Sequence, residues 1–321
     1  NVVVLAEHLS NIVGGNVINR VDTIMSEMAE ASKWDYAPDL LIYVGGAPVS
    51  KKMKLYLRSH ASVEQWRVGV DNTIIDTMQG ITKHFNITAE CFFESLMPLN
   101  ENVASQYKSQ WMELRKSACV SHEAFALNAE WSDFKAMSVI MEMQPESYNI
   151  QLSNGMTVRY AQLFDAKKGN VYMCNRGVSG IDGSTSTALG ASIADEKKVL
   201  LITGDMSFAY DINGLASKYN SPNLKIVVIC NDGGGIFRTI DGLSSIPVLE
   251  EYFEVKREIE VGKLAVAFGY EYLEANDESQ LREAFSKLLQ NDEPTILAVK
   301  TPNVKSAEII KNYHKRNNKD K

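Results

Sequence analysis

The sequence predicts an α/β protein, with a doubly wound parallel sheet over residues 146–321 and a smaller, partial Rossmann-like α/β unit with a helical linker over residues 1–145. Three observations predict it. Five apolar runs of strand length follow one another in the second region (148–153, 171–174, 199–203, 225–230 and 295–299). Stretches with helical period separate them, which is what parallel crossovers require. The first four runs end in Gly, Asn or Asp, the residues that take a strand into a tight loop.

The elements follow in order. The first strand candidate is 2–6, within an opening run Asn1-Val-Val-Val-Leu-Ala6 that has no initiator Met and no polar lead-in, so the chain reads as a piece of a longer protein. Val17, Val21, Ile24, Met25 and Met28 recur at helical spacing. The run 40–44 ends in Gly45-Gly46, as a buried parallel strand enters a loop, and Met53, Leu55, Tyr56 and Leu57 predict a helix after it. Residues 65–70 form another strand candidate, and Thr88 is an N-cap for a helix through Leu96. From about 100 to 144 the pattern is helical throughout, carried by Trp111, Leu114, Phe125, Trp131, Phe134, Met137 and Met141, and Pro145 closes it. Beyond it, helical patterns at 157–165, 184–194, 261–268 and 279–289 alternate with the five runs, and 270–273 is a sixth strand candidate. The Gly, Ala and Ser content of 184–194 predicts close helix packing.

Composition excludes some functions. A net charge of −7 and the lack of a basic stretch in the body argue against nucleic acid or a membrane surface as partner. The basic tail, 305–321, reads as a solvated helix that frays. No apolar run reaches bilayer length and no signal-peptide pattern occurs. The four cysteines form no C-x-x-C pair, and Cys174 and Cys230 read as small core residues of a reducing compartment, so a cytoplasmic location is expected. The five histidines (His8, His60, His84, His122 and His314) lie away from the strand ends and read as structural or surface residues.

Chemistry concentrates where the strands end. Ligands of open parallel sheets bind beyond the carboxyl ends of the strands. Those ends carry Asn154-Gly155 with Arg159 a turn later, Asn175-Arg176-Gly177, Gly204-Asp205 and Asn231-Asp232-Gly233. Amide, guanidinium and carboxylate groups on one edge predict a polyanionic ligand. Gly204-Asp205, followed by Met206 and Ser207, is a strand-to-helix turn where backbone approaches a phosphate closely. Asp205 offers one hard oxygen. Asn231, 26 residues on, ends the next strand beside it, and a carbonyl of the Gly233–Gly235 turn offers a third. Three protein oxygens, two from a diphosphate and one from water complete the octahedron of magnesium.

The span from Gly204 to Asn231 resembles the motif of thiamine-diphosphate enzymes such as decarboxylases and acetohydroxyacid synthases. The segment Asn175-Arg-Gly-Val-Ser-Gly-Ile-Asp-Gly183, with Tyr210-Asp211-Ile-Asn213 and Asp232-Gly-Gly-Gly-Ile-Phe237, resembles the 2-succinyl-5-enolpyruvyl-6-hydroxy-3-cyclohexene-1-carboxylate synthase family of menaquinone biosynthesis. The likeness is distinctive over 150–300 and loose over 1–145. It implies a diphosphate-binding (PP-type) domain after a partial transhydrogenase-III-like middle domain. It implies thiamine diphosphate with magnesium or manganese as cofactors, the metal held by Asp205, Asn231 and the Gly233 carbonyl. Asn154, Gly155, Gly204, Met206 and Ser207 would line the cofactor, with Ile181 under its bent form. Arg159 and Arg176 would hold the carboxylates of 2-oxoglutarate and isochorismate, and Phe237 and Ile240 would wall the reacting carbon. The whole protein is then expected to be a transferase working as a homodimer or homotetramer.

Three departures stand out. Asp232 replaces a second Asn found in many relatives, and Gly155 stands where the family often has Ser. The activating Glu belongs to a pyrimidine-binding domain that nothing upstream of residue 150 resembles, so this chain by itself is expected to be inactive. Two other readings stay open on the residues. One is a different 2-oxoacid decarboxylase or acetolactate-type synthase, and the other is a non-catalytic nucleotide-binding module. Neither G-x-G-x-x-G after a strand nor G-x-x-x-x-G-K-[ST] is present for the latter.

Overall fold

The computed structural model describes residues 2–28, 30–60, 63–70, 74–99, 104–219 and 221–316, so the first residue of the opening run and the last five of the tail lie outside it. Two compact units are present, one of residues 1–121 with 316–321 and one of residues 122–315.

In the first unit, β1 (Val4–Leu5) pairs in parallel with β2 (Val17–Ile18), and α1 (Val21–Glu27) follows. Val17 is therefore a strand residue, although its spacing to Val21 and Ile24 fits a helix; a short apolar strand just before a helix mimics that period. A parallel sheet is built from β3 (Leu40–Val44), β4 (Glu64–Val68) and β5 (Lys83–Phe85). Between β3 and β4 runs α2 (Lys51–Ser59), whose cap Ser50 accepts from Met53 N. After β5 comes α3 (Ala89–Leu96), which Thr88 caps by accepting from Cys91 N. Trp111 and Ala118 of α4 (Tyr107–Asn128) join Ile18, Val21, Ile24 and Tyr56 in the core.

The second unit begins its wound sheet with α5 (Asp133–Met143), β6 (Asn149–Leu152), α6 (Thr157–Ala161) and β7 (Val171–Met173). Next come α7 (Ser184–Ala194), β8 (Val199–Gly204), α8 (Asp205–Tyr210) and β9 (Leu224–Cys230). The unit closes with α9 (Val261–Ala267), β10 (Glu271–Ala275), α10 (Glu278–Gln290), β11 (Thr295–Lys300) and α11 (Asn303–Lys315). The six strands are all parallel, in the order β7-β6-β8-β9-β11-β10.

Alternation along each strand divides the sheet's two faces. Leu201, Ile226, Val228, Ile296 and Ala298 pack with Ala188 and Leu189 of α7, Phe208 of α8 and Val261 and Ala265 of α9. Leu200, Ile202, Val227, Leu297 and Val299 point the other way and are equally buried. On that side α10 packs on β10 and β11, and α5 packs on α6, α10 and α11. Removing both faces of a strand from water is worth about 1.5–3 kcal/mol per large apolar side chain.

Two helical expectations change in detail. The stretch read as helical from 100 to 144 is interrupted between α4 and α5, where Ser132 restarts the chain by accepting from Lys135 N. The basic tail is not a solvated helix: α11 buries Ile309, Ile310 and Tyr313. Tyr313 OH pairs with His122 Nδ1 at 2.8 Å, and its ring lies 5.1–5.7 Å from those of His122, Phe125 and Phe134. Its lysines cover the outer side of a helix whose inner side is core.

Candidate functional site

Winding reverses at β6. The chain leaves β6 for β7 on one side and later returns to β8 on the other. Neighbouring crossovers then depart in opposite directions, which opens a crevice beyond the carboxyl ends of β6 and β8. Gly155 follows the first of these strands, and Gly204-Asp205 ends the second. A Cβ added at either glycine would meet nothing within 4 Å, so the crevice is open in front of both. Gly155 also has φ +93°, a conformation costly to any side chain.

Asp205 begins α8 and is 2% exposed. Its Oδ1 accepts from Met206 N at 2.7 Å, and its Oδ2 accepts from Asn231 N at 3.1 Å and Asp232 N at 2.8 Å. Register explains the meeting. Gly204 pairs with Ile229, so the residue after β8 faces the residues after β9. Burial pushes the Asp205 carboxyl up to about 7; the Met206 and Asp232 N–H groups pull it down, and Asp133 and Asp232 add like charge that raises it. The Met206 N–H is thus engaged by Asp205 itself.

Asn231, 8% exposed, turns its Nδ2 to Asp133 Oδ2 at 2.8 Å. Among the described residues no donor reaches its Oδ1. Asp232 then turns at φ +64° and leads to Gly233, at φ +148°. A Cβ on Gly233 would sit 2.8 Å from Glu254 O, so close approach as well as conformation requires glycine. The Gly233 carbonyl accepts from Gly235 N at 3.0 Å, which occupies one of its two lone pairs.

The loop that follows is fixed from behind. Gly234 N donates to Glu254 O at 2.8 Å. Arg238 places Nε 2.6 Å from Glu254 Oε1 and Nη2 2.7 Å from Oε2, and it reaches Glu250 Oε1 at 2.5 Å. Glu254 is fully buried, so this fork compensates a charge that water cannot reach. Phe237 and Ile240 belong to this loop. Phe237 meets Phe253 edge-to-face at 5.7 Å, and Ile240 is 42% exposed.

Across the switch point the groups are cationic. Asn154, buried at the end of β6, donates through Nδ2 to Asn175 O (2.7 Å) and Gly180 O (2.6 Å). Its Oδ1 accepts from Arg176 Nη1 (2.7 Å) and Cys174 Sγ (3.3 Å). Every polar atom of its side chain thus serves the 175–180 loop and the aim of Arg176. Arg159 Nη1 donates to Gly155 O. Burial pushes the Cys174 thiol up to about 11, while Arg176 and Arg159 both pull it down, which puts the two guanidiniums on one neighbourhood. Arg176 Nε is buried with no partner among the described residues, an unpaired cationic donor that an anion would satisfy.

Ile181, half-buried, and Ser207 connect the two sides, since Ser207 Oγ donates to Ile181 O. The Tyr210-Asp211-Ile-Asn213 run has a structural use. Asp211 accepts from Ser186 N and Ser186 Oγ, both at 2.7 Å, and so caps the first turn of α7 from outside. Residues 154, 155, 159, 176, 181, 204–207, 231 and 233 therefore gather around one crevice. Asp133, Arg238 and Glu254, which support it, carried no signal beyond a helix-start acid and a distant ion pair.

The donor set suits a hard cation that brings further ligands of its own. No group of three or more His, Cys, Asp or Glu that could hold a metal occurs among the described residues. One carboxylate, one amide oxygen with no donor on it and one carbonyl with a spare lone pair make an oxygen-only, half-filled set, as for magnesium shared with phosphates. Opposite stands an unpaired guanidinium N–H. These residues fit a diphosphate bound through a divalent cation.

Residues 154–299 match the C-terminal TPP binding domain of the thiamine pyrophosphate enzymes. This part of the chain is therefore a thiamine-diphosphate-binding domain of that class. Over nearly its whole length the chain is similar to proteins named 2-succinyl-5-enolpyruvyl-6-hydroxy-3-cyclohexene-1-carboxylate synthase. It is 36% identical to that of Flavobacterium psychrophilum, covering 98% of this chain and 57% of the relative. It is 34% identical to that of Porphyromonas gingivalis, covering 97% of this chain and 55% of the relative. The chain thus spans a little over half the length of these relatives. Among the described residues no helix is long and apolar enough to cross a membrane.

Proposed function

We propose that the full-length protein performs the reaction its relatives are named for, taking 2-oxoglutarate, releasing carbon dioxide and joining the remaining four-carbon unit to isochorismate. One arrangement supports this reading: Asp205 and Asn231 offer oxygens at the ends of β8 and β9, and Arg159 and Arg176 lie beyond the ends of β6 and β7 in the same sheet. Bound thiamine diphosphate supplies the carbanion chemistry that side chains lack. The chain's own residues bind and orient. Asp205 Oδ, Asn231 Oδ1 and the Gly233 carbonyl would hold magnesium, or manganese, against the diphosphate. Arg159 and Arg176 pair with substrate carboxylates, and two dicarboxylic substrates account for two guanidiniums better than a monocarboxylic 2-oxoacid does. Ile181 and the Phe237–Ile240 wall supply apolar surface beside the reacting carbon and keep water from it.

Calorimetry on the full-length polypeptide tests the cofactor half of this reading. Thiamine diphosphate should bind only with magnesium, and in preference to NAD or ATP. Turnover tests the substrate half. Arg176→Gln should raise KM for 2-oxoglutarate by about 10–100-fold, as loss of a charge-assisted pair implies. Full activity after charge reversal at both Arg159 and Arg176 would defeat the assignment and favour a simple 2-oxoacid decarboxylase.

A further inference from the structure

Asn231 is held by a carboxylate that arrives from far earlier in the chain. Asp133 is the first residue of α5, behind the cap Ser132, and is 4% exposed. Its two oxygens have separate partners. Oδ1 accepts from Thr301 Oγ1 at 2.6 Å and Ser306 Oγ at 3.1 Å, and Ser306 Oγ also accepts from Asp133 N at 2.9 Å. Oδ2 accepts from Asn231 Nδ2 at 2.8 Å. Thr301 follows β11 and is tied to β9 through its N–H to Cys230 O at 2.9 Å, while Ser306 lies in α11. The carboxylate is therefore gripped by two elements on one side and presents a single acceptor on the other.

A side-chain amide has two ends of nearly equal shape and opposite polarity, and only the oxygen end can bind a hard cation. Packing distinguishes the two ends poorly, so their orientation is decided by what the nitrogen end bonds to. We propose that Asp133 is a positioning residue of the cation site: it captures Asn231 Nδ2 and so presents Asn231 Oδ1 to the ion. This inference rests on reading Asn231 as a ligand of that ion. A purely structural Asp133, joining α5 to α11, would affect folding but not the metal requirement.

The test is the magnesium concentration that half-saturates thiamine diphosphate binding to the full-length polypeptide, read by calorimetry beside the metal-free melting temperature. Asp133→Leu leaves Asn231 free to turn its nitrogen to the ion, and the half-saturating concentration should rise about 10–100-fold, the usual effect of losing an outer partner. Asp133→Asn retains an oxygen that accepts from Asn231 and should stay within about 3-fold of wild type. Asn231→Asp alone sets two carboxylates face to face and should bind magnesium poorly. Combined with Asp133→Asn, the donor and acceptor exchange places, and binding should recover by about 10-fold or more relative to Asn231→Asp.

Wild-type magnesium dependence in Asp133→Leu would overturn the proposal, as would an Asp133→Asn variant as weak as Asp133→Leu. So would a double variant no better than Asn231→Asp, and that arm decides the matter if the leucine variant does not fold. A wild-type protein that binds thiamine diphosphate equally well without magnesium has a different signature. It defeats the cation reading itself, and the role of Asp133 falls with it.

Discussion

Replacing Gly233 by alanine would separate the two constraints that meet in the turn after β9. The backbone there has φ +148°, and the new Cβ would lie 2.8 Å from Glu254 O, 3.4 Å from Lys256 Cα and 3.5 Å from Glu254 C. All three obstacles are main chain. They cannot rotate aside, because Glu254 O holds Gly234 N at 2.8 Å and the Glu254 carboxylate is clamped by Arg238. Backbone strain of about 1–3 kcal/mol and overpacking of about 1–3 kcal/mol add to roughly 2–6 kcal/mol. At about 2–4 °C per kcal/mol for a unit of this size, that lowers the melting temperature by roughly 4–24 °C. Gly235→Ala supplies the contrast. Its Cβ would approach only side-chain ends, Asn303 Oδ1 at 2.9 Å and Asn231 Nδ2 at 3.2 Å, without a positive φ. It should cost about 1–2 kcal/mol in stability while disturbing the Asn231 amide, so magnesium-dependent cofactor binding weakens out of proportion to the melting shift. Circular dichroism melts of the metal-free proteins, with calorimetry for binding, measure both quantities. A Gly233→Ala protein melting within about 2 °C of wild type, or a Gly235→Ala protein melting below it, would refute the reasoning.

Other perturbations have equally definite outcomes. Arg238→Gln leaves the fully buried Glu254 carboxylate without its cation and should cost about 3–5 kcal/mol, measured by urea unfolding with a midpoint shift at unchanged slope. Asp211→Ala uncaps α7 by removing the acceptors of Ser186 N and Ser186 Oγ; about 1 kcal/mol and a small drop in melting temperature are expected. Lys52 of the first unit has its pKa lowered to about 8, from 10.5, by burial. Between about pH 8 and 10.5 the unfolded chain binds a proton that the folded one does not, so this contribution to stability rises with pH across that window. Lys52→Met should therefore be favoured over wild type at pH 7.5, with an advantage of up to roughly 3 kcal/mol that shrinks toward pH 10.5; an advantage independent of pH would exclude Lys52 as its source.

The sheet was readable in advance because its strands announce themselves twice, by runs such as Val199–Gly204 and Leu224–Cys230 that are buried along their length, and by the polar exits that follow. A central parallel strand has no solvent face and so no polar alternation to confuse with anything else. Short elements are less legible. Val17 lies four residues before Val21, and a helix and a strand-to-helix junction look alike at that spacing. In the tail, 305–321, five lysines and Arg316 outnumber Ile309, Ile310 and Tyr313, the residues that decide the burial of α11. The site divides in the same way. Asp205, Asn231 and Gly233 are visible because each sits at a strand end, where sequence position fixes spatial position. Asp133 meets Asn231 across a separation of 98 residues and looks, in sequence, like an ordinary acid in a helix's first turn. Its partner is chosen by how α5, β9 and α11 pack, which no local pattern encodes.

Charge is distributed unequally across the crevice, and this bears on why a cation would be needed at all. Beyond the ends of β6 and β7 lie Arg159 and Arg176, whose guanidiniums can receive an anion directly. The ends of β8 and β9 carry Asp205 and Asp232, with Asp133 behind them, and these carboxylates already act on one another as like charges. A diphosphate approaching that second edge alone adds two or three more negative charges at a distance of a few ångströms. In a site where Asp205 is 2% exposed, water screens that repulsion weakly. The N–H groups of Met206, Asn231 and Asp232 do not offset it, because they are turned inward to Asp205. A divalent ion held by Asp205 and Asn231 would change the sign of the interaction. Magnesium dependence should accordingly be nearly absolute for thiamine diphosphate, whereas unphosphorylated thiamine, with nothing for the ion to bridge, should bind weakly and with no response to magnesium. Equal magnesium dependence of the two ligands would mean that the ion organises the fold and does not bridge to phosphate.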